Sequence, residues 1–183
     1  MKFKSKKIIF IITALLCATL LFGCSSASTK APTKEYTNKL NTFKISVAGD
    51  WTTDYSDNEN GITLDNEDRT LTFMIQKFPK EFPNMQQFKT LDDFIPFYEK
   101  MAISSILQMG EVSKLEKVDI DWATDAKAYE IVASQDDMVS KAYITYIQTE
   151  KGFYSATITG VEKLYDKNIE TLKEAIKTIE EIK

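Results

Sequence analysis

Histidine is absent from all 183 residues. That single gap removes the Ser-His-Asp and Cys-His arrangements of nucleophilic catalysis, together with the commonest transition-metal ligand. Cysteine is nearly absent as well. Cys17 and Cys24 are the only two, so residues 25–183 offer no thiol for a disulfide, a thiolate metal site or a nucleophile. A body of that length can bury one core without such a staple. Long apolar runs are missing too. The longest, Ile8 to Phe22, would reach roughly 22 Å as a helix at about 1.5 Å per residue, short of the ~30 Å hydrocarbon core of a membrane. Basic charge is scarce beyond the N-terminus. Lys2, Lys4, Lys6 and Lys7 stand without an acid in residues 1–23, which leaves 19 basic against 27 acidic side chains in the other 160 residues, a net charge of −8. That balance excludes a nucleic-acid ligand and a surface that lies flat on anionic lipid. No internal repeat is present.

The four lysines, the apolar run and the small residues from Gly23 to Ser28 form the three-part layout of a secretory signal. Within it, Leu21-Phe22-Gly23-Cys24 resembles the lipobox of bacterial lipoproteins. The resemblance implies cleavage before Cys24, a diacylglyceryl group on its thiol, and a lipid-anchored chain on the extracytoplasmic face of the cell membrane. Two acyl chains are what stable anchoring requires, at about 0.8 kcal/mol per buried CH₂. Residues 1–23 are then a cleaved signal peptide. Residues 24–40, rich in Ser, Thr and Lys and lacking apolar periodicity, read as a flexible tether with a root-mean-square span of roughly 23 Å. Residues 41–183 read as a single domain.

Strand patterns open that domain: Phe43 to Val47, Trp51 to Tyr55, Gly61 to Asp65 and Arg69 to Phe78. Leu71, Phe73 and Ile75 share one face, and Met74 and Phe78 on the other suggest that both faces are partly covered. Thr90 with Asp93 resembles a capping box. Apolar residues at spacings of three and four from Leu91 to Met109 then predict a helix ending at Gly110, with Pro96 in its second turn. Four strand-like pieces follow, at Val112 to Trp122, Ala126 to Ala133, Met138 to Thr149 and Gly152 to Gly160. Val161 to Ile179 closes the chain as an amphipathic helix. The fold class is α+β, an antiparallel sheet covered by helices.

The element order, with Phe43-Lys44-Ile45-Ser46-Val47-Ala48-Gly49-Asp50-Trp51 near the start and Gly152-Phe153-Tyr154-Ser155-Ala156-Thr157-Ile158 before the last helix, resembles the PsbP/Mog-type fold. The resemblance covers about residues 41–183 and implies an α-β-α sandwich. That fold is shared by the extrinsic PsbP protein of the oxygen-evolving complex, a Ran-binding import factor and several bacterial lipoproteins. Its members bind unrelated partners through different surfaces, so no functional residue carries over.

The residues themselves offer several candidate surfaces. Phe78, Phe82, Met85, Phe88 and Phe94, interspersed with prolines, form the densest aromatic stretch, and such side chains suit adaptable apolar binding. Phe82, Met85 and Phe88 are therefore candidate partner contacts, and so is Trp122, at a strand end beside Asp121 and Asp125. Trp51, just after the first strand, reads as a seal on the core. Ser56 to Glu67 has the outline of a calcium loop, but it lacks the first carboxylate and the flanking helices, so it reads as a solvated hairpin. Asp119 and Asp121, two apart, would share a strand face with Asp125 nearby. They are solvated charge or, if set in a cleft, paired acids of a hydrolase.

Three functions follow, in order of preference. The first is a non-enzymatic accessory or protein-binding domain without cofactor or metal, tied to the membrane through Cys24. The second is a small-ligand or lipid-binding lipoprotein with an apolar pocket under Phe82–Phe94. The third is a carboxylate-based hydrolase.

Overall fold

The computed structural model describes residues 32–54 and 59–182. The signal segment, Cys17, Cys24 and residues 55–58 of the calcium-like loop lie outside the described residues. Eleven strands are assigned among them. They are β1 (Thr33–Thr37), β2 (Phe43–Ala48), β3 (Thr52–Asp54), β4 (Gly61–Asp65), β5 (Leu71–Pro79), β6 (Glu111–Val112), β7 (Glu116–Lys117), β8 (Asp125–Gln135), β9 (Met138–Gln148), β10 (Gly152–Val161) and β11 (Glu180–Glu181). The helices are α1 (Leu91–Tyr98), running through a π turn (Glu99–Ile103) into α2 (Ser104–Met109), and α3 (Glu162–Ile176). Every strand pairing is antiparallel. A large sheet runs β3-β4-β5-β10-β9-β8-β6, with β7 also on β8, and a small sheet runs β1-β2-β11.

Both faces of the large sheet are covered, as the apolar residues on both sides of β5 suggest. Leu71, Phe73 and Ile75 of β5, Ile147 of β9, and Tyr154, Ala156 and Ile158 of β10 point to one side. There they pack under Phe43, Ile45 and Val47 of β2 and the buried stripe Tyr165, Ile169, Leu172, Ala175 and Ile176 of α3. Phe78, Tyr129, Ile131, Ile144, Tyr146 and Phe153 point to the other side, under Leu91, Phe94, Ile95 and Tyr98 of α1. β10 lies in the middle of the sheet, so Gly152 to Ile158 are buried without a break.

Two hairpins rest on the same local device. Asn38 Oδ1 accepts the backbone N–H groups of Thr42 and Phe43 at 2.8 and 3.1 Å, and Asn66 Oδ1 accepts those of Thr70 and Leu71 at 2.8 and 3.0 Å. In each, the residue three on, Asn41 or Arg69, takes a left-handed φ of 53°. An asparagine that bonds its own backbone stabilises such a turn at little cost.

Several sequence expectations are corrected. Among the described residues β1 pairs with β2 along Thr33–Thr37, so five of the seventeen residues of the expected tether form an edge strand. The expected strand from Val112 to Trp122 is broken. Val112 pairs with Ile131 and Glu116 with Ala128, which leaves one extra residue on the short strand, a bulge. Ser113 fills the gap, its N–H donating to Glu130 O at 2.8 Å and its hydroxyl accepting from Glu130 N at 2.9 Å. Asp119 and Asp121 therefore sit on an irregular segment rather than on one strand face. The capping box is present: Thr90 Oγ1 accepts from Asp93 N and Asp93 Oδ2 accepts from Thr90 N at 3.1 Å. Its helix, however, changes register in the turn after Pro96, which supplies no N–H to the helical ladder. Gly110 is extended rather than left-handed, and a Cβ there would lie 2.7 Å from Val132 O. Close approach to β8 is its reason, not the helix cap.

Candidate functional site

The aromatic connection closes on itself. Phe94 stacks on Phe153 with centroids 4.6 Å apart and planes 5° apart, and it also meets Phe78 at 5.2 Å and Phe88 at 6.0 Å. Phe88 packs on Phe97 at 4.9 Å, and Met85 is buried in the same cluster. Phe82 is the member that stays open, at 40% exposure. Of the three candidate contacts here, the structure turns Met85 inward, holds Phe88 half-buried and leaves Phe82 in solvent. Beneath Phe82 these rings pack on one another.

Beneath the π turn lies a buried polar cluster. Tyr129 and Tyr146 hydroxyls are 3.0 Å apart, and both reach Glu99 Oε1, Tyr129 donating at 2.9 Å and Tyr146 at 3.4 Å. Burial first, then the neighbouring hydroxyl and carboxylate, pushes the Tyr146 phenol far above its ordinary range. Glu99, the first residue of the π turn, reaches over the sheet, and every group in the cluster has a partner. It reads as a satisfied core network.

On the opposite face the polar accounting does not close. Trp122 Nε1 and Thr145 Oγ1 are buried without a hydrogen bond of normal geometry, the Thr145 side chain interacting only with Tyr143. Such a group costs about 1–3 kcal/mol. Each belongs to the lining of an open cleft beside the irregular segment Val118–Thr124. One cleft, about 260 Å³, has Val118, Ile120, Ile176 and Tyr143 as its apolar lining, with Thr145 beneath and charged residues of α3 around it. Lys173 sits 4.6 Å over the Tyr143 ring while it pairs with Glu170 at 3.0 Å.

The second cleft, about 390 Å³, opens where Trp122, Ala123 and Thr124 meet the β9–β10 turn (Glu150, Lys151) and the C-terminal strand (Ile179, Glu180, Glu181). Trp122 packs edge-on against Tyr154 at 5.5 Å. Tyr154 donates to Glu181 at 2.9 Å, Lys77 pairs with the same carboxylate at 3.0 Å, and Lys151 pairs with it at 2.5 Å. Burial pushes the Glu181 carboxyl up, but the donors Lys151, Lys77 and Tyr154 outweigh it and hold the group below its ordinary value. Lys77 continues the buried register Leu71-Phe73-Ile75, and a charge in that position was the sequence signal for this network. Glu181, sixteen residues past Tyr165 in an acidic tail, gave none.

Trp51 seals the same core, its Nε1 donating to Ala48 O at 3.0 Å. Asp119 and Asp121 are exposed, and Asp125 lies 4.0 Å from Lys117. Among the described residues no group of three or more acidic side chains could hold a metal ion, and no helix is long and apolar enough to cross a membrane.

No protein-family model matches the chain, and no curated protein matches it by sequence. Solved structures match it in shape. The solution structure of the cyanobacterial PsbP (CyanoP) from Synechocystis covers 88% of this chain and 99% of its own at 11% identity, with a TM-score of 0.52. A crystal structure from Bacteroides thetaiotaomicron covers 82% of this chain at 16% identity, also with a TM-score of 0.52, and this chain spans about half of that protein (48%). The fold is PsbP-like, as the order of elements implied. At these identities the likeness is one of fold alone.

Proposed function

We propose that this chain is a non-enzymatic accessory domain that binds a protein partner and is held on the extracytoplasmic face of a bacterial membrane by a diacylglyceryl group on Cys24. The observation that carries the binding half is the Trp122 cleft. A half-buried aromatic and a set of charged residues stand open together there, and the ring's own N–H is left unpaired. Interface centres favour that combination of an aromatic anchor with a polar surround. The membrane half rests on Leu21-Phe22-Gly23-Cys24 and on the cationic and apolar stretches before it. The PsbP-like fold is compatible with binding and does not name the partner.

Crosslinking in intact cells, followed by capture through the native chain, tests both halves. The native chain is expected in the membrane fraction with a lipid-modified Cys24 at its N-terminus and a partner attached. Cys24→Ala should shift it to the soluble fraction. A native chain that retains residues 1–23, or captures no partner, refutes the reading. A small-ligand function is favoured by one observation, the 260 Å³ cleft under α3, where Val118, Ile120, Tyr143 and Ile176 are ringed by charged side chains, away from Phe82–Phe94. Native mass spectrometry showing a retained small molecule and no protein partner would establish it.

A further inference from the structure

The strand β11 is held mainly by polar contacts. Glu180 pairs with Lys44 and Glu181 with Phe43 of β2, and Ile182 N–H donates to Thr42 O at 3.0 Å. Glu180 is exposed, and Glu181 and Ile182 are half-buried. Open space adjoins the strand twice. Glu180 and Glu181 line the Trp122 cleft, and with Lys44 and Ile182 they line a further cleft of about 500 Å³. The apolar seal ends one residue earlier, at buried Ile179. A segment with so few buried apolar contacts opens at a far lower free energy than the core.

What lies beneath β11 is built for a carboxylate. Glu181 Oε1 accepts from the Tyr154 hydroxyl at 2.9 Å and pairs with Lys77 at 3.0 Å, while Oε2 pairs with Lys151 at 2.5 Å. Lys77 and Tyr154 are buried and stand opposite one another on β5 and β10. The main donors thus belong to the large sheet, and the acceptor to the loosely held strand. Glu181 is the one ion-pair partner of Lys77 among the described residues. A buried ammonium without its anion is costly, so an open β11 calls for another carboxylate in the same place.

Resting on the protein-binding reading above, we propose that Glu180–Ile182 is an exchangeable clasp, and that the partner replaces it with an extended segment whose glutamate enters the Lys77–Lys151–Tyr154 socket. Such a segment adds to a sheet edge through its backbone and is selected through its side chains. Here the backbone bond goes to Thr42 O, and β11 is the chain's own copy of the ligand: extended, antiparallel to β2 and acidic. A basic segment would meet Lys44, Lys77 and Lys151, and a neutral one would leave Lys77 unpaired. Thr178, tied to Ser46 at 2.9 and 3.2 Å, stays in place with Ile179, so the hinge falls between Ile179 and Glu180.

Amide exchange and peptide titration of the full chain in detergent micelles, both read by NMR, test this. The Ile182 N–H should exchange at least about a hundredfold faster than the amides in the middle of α3, and Glu181→Gln should speed it about tenfold further. The probe N-acetyl-Ile-Glu-Glu-Ile amide should move the Lys77 and Lys151 amide signals saturably in the millimolar range, and N-acetyl-Ile-Gln-Gln-Ile amide should not. Because the probe competes with the chain's own strand, Glu181→Gln should bind it about tenfold more tightly than the native chain does. Ile182 exchange as slow as that of α3, an equal response to the glutamine probe, or no gain in affinity in Glu181→Gln overturns the proposal. If these tests fail while the anchored chain still captures its partner, the clasp assignment falls and the protein-binding reading stands. If they succeed while no partner is captured, the socket stands and that reading falls.

Discussion

Over one face of the large sheet, Phe78, Phe88, Phe94 and Phe153 close on one another, and the tyrosines below share a carboxylate. Over the other, Trp122 and Tyr154 meet edge to face but leave an indole N–H unbonded and a threonine hydroxyl with only a weak interaction with Tyr143, beside two open clefts. Aromatic density and functional surface are thus separated in this molecule. Rings that satisfy one another have little left to offer a partner. A binding surface shows instead where the internal accounting of polar groups is incomplete.

Substitutions on the two sides should separate stability from binding. The largest effect is expected at Phe94→Ala, which empties the centre of the interlocked rings. The urea midpoint should fall by the equivalent of about 3–5 kcal/mol. Next comes Glu181→Gln, which leaves Lys77 without its anion. A fully buried broken pair costs about 3–5 kcal/mol, but the partial exposure of Glu181 reduces this to about 1–2 kcal/mol. Because the folded carboxyl lies below its ordinary value of 4.5, its contribution is complete above that pH and is lost as pH falls through the lowered folded value. Thermal unfolding followed from pH 7 to pH 3 should show a steeper acid limb in the native chain than in Glu181→Gln.

Thr145→Val comes third and has the opposite sign. Replacing a buried hydroxyl that has only a weak interaction with Tyr143 by a methyl group should be neutral or raise stability by less than about 1 kcal/mol, as read by chemical denaturation. A loss of 1 kcal/mol or more would mean the hydroxyl has a partner in solution and the contrast between the faces is overdrawn. Smallest of all, Phe82→Ser at the open tip of the aromatic connection should change stability by less than about 0.5 kcal/mol. A larger drop would make that loop part of the core cover.

Much of the fold could be read from the chain because its strongest elements are periodic. Phe43, Ile45 and Val47 alternate, α3 repeats at three and four, and Thr90 with Asp93 marks a helix start. What escaped was set by tertiary context. β1 has little apolar periodicity, since Thr33 to Glu35 are exposed, and it exists because β2 offers it an edge. The bulge at Ser113 depends on register along β8, which local pattern does not encode. Trp122 was legible as a candidate from its acidic neighbours, whereas Glu150, Glu180 and Glu181 join it only once the β9–β10 turn and the C-terminus have come to the same end of the sheet.

Pairing at Thr33 also shortens the leash. From Cys24 to the first residue of β1 there are nine residue steps, which whatever their conformation cannot exceed about 32 Å at 3.3–3.6 Å each. A tether running to residue 41 could reach nearly twice as far. If Cys24 is the point of attachment, Thr33 and the edge of the small sheet lie within about 32 Å of it.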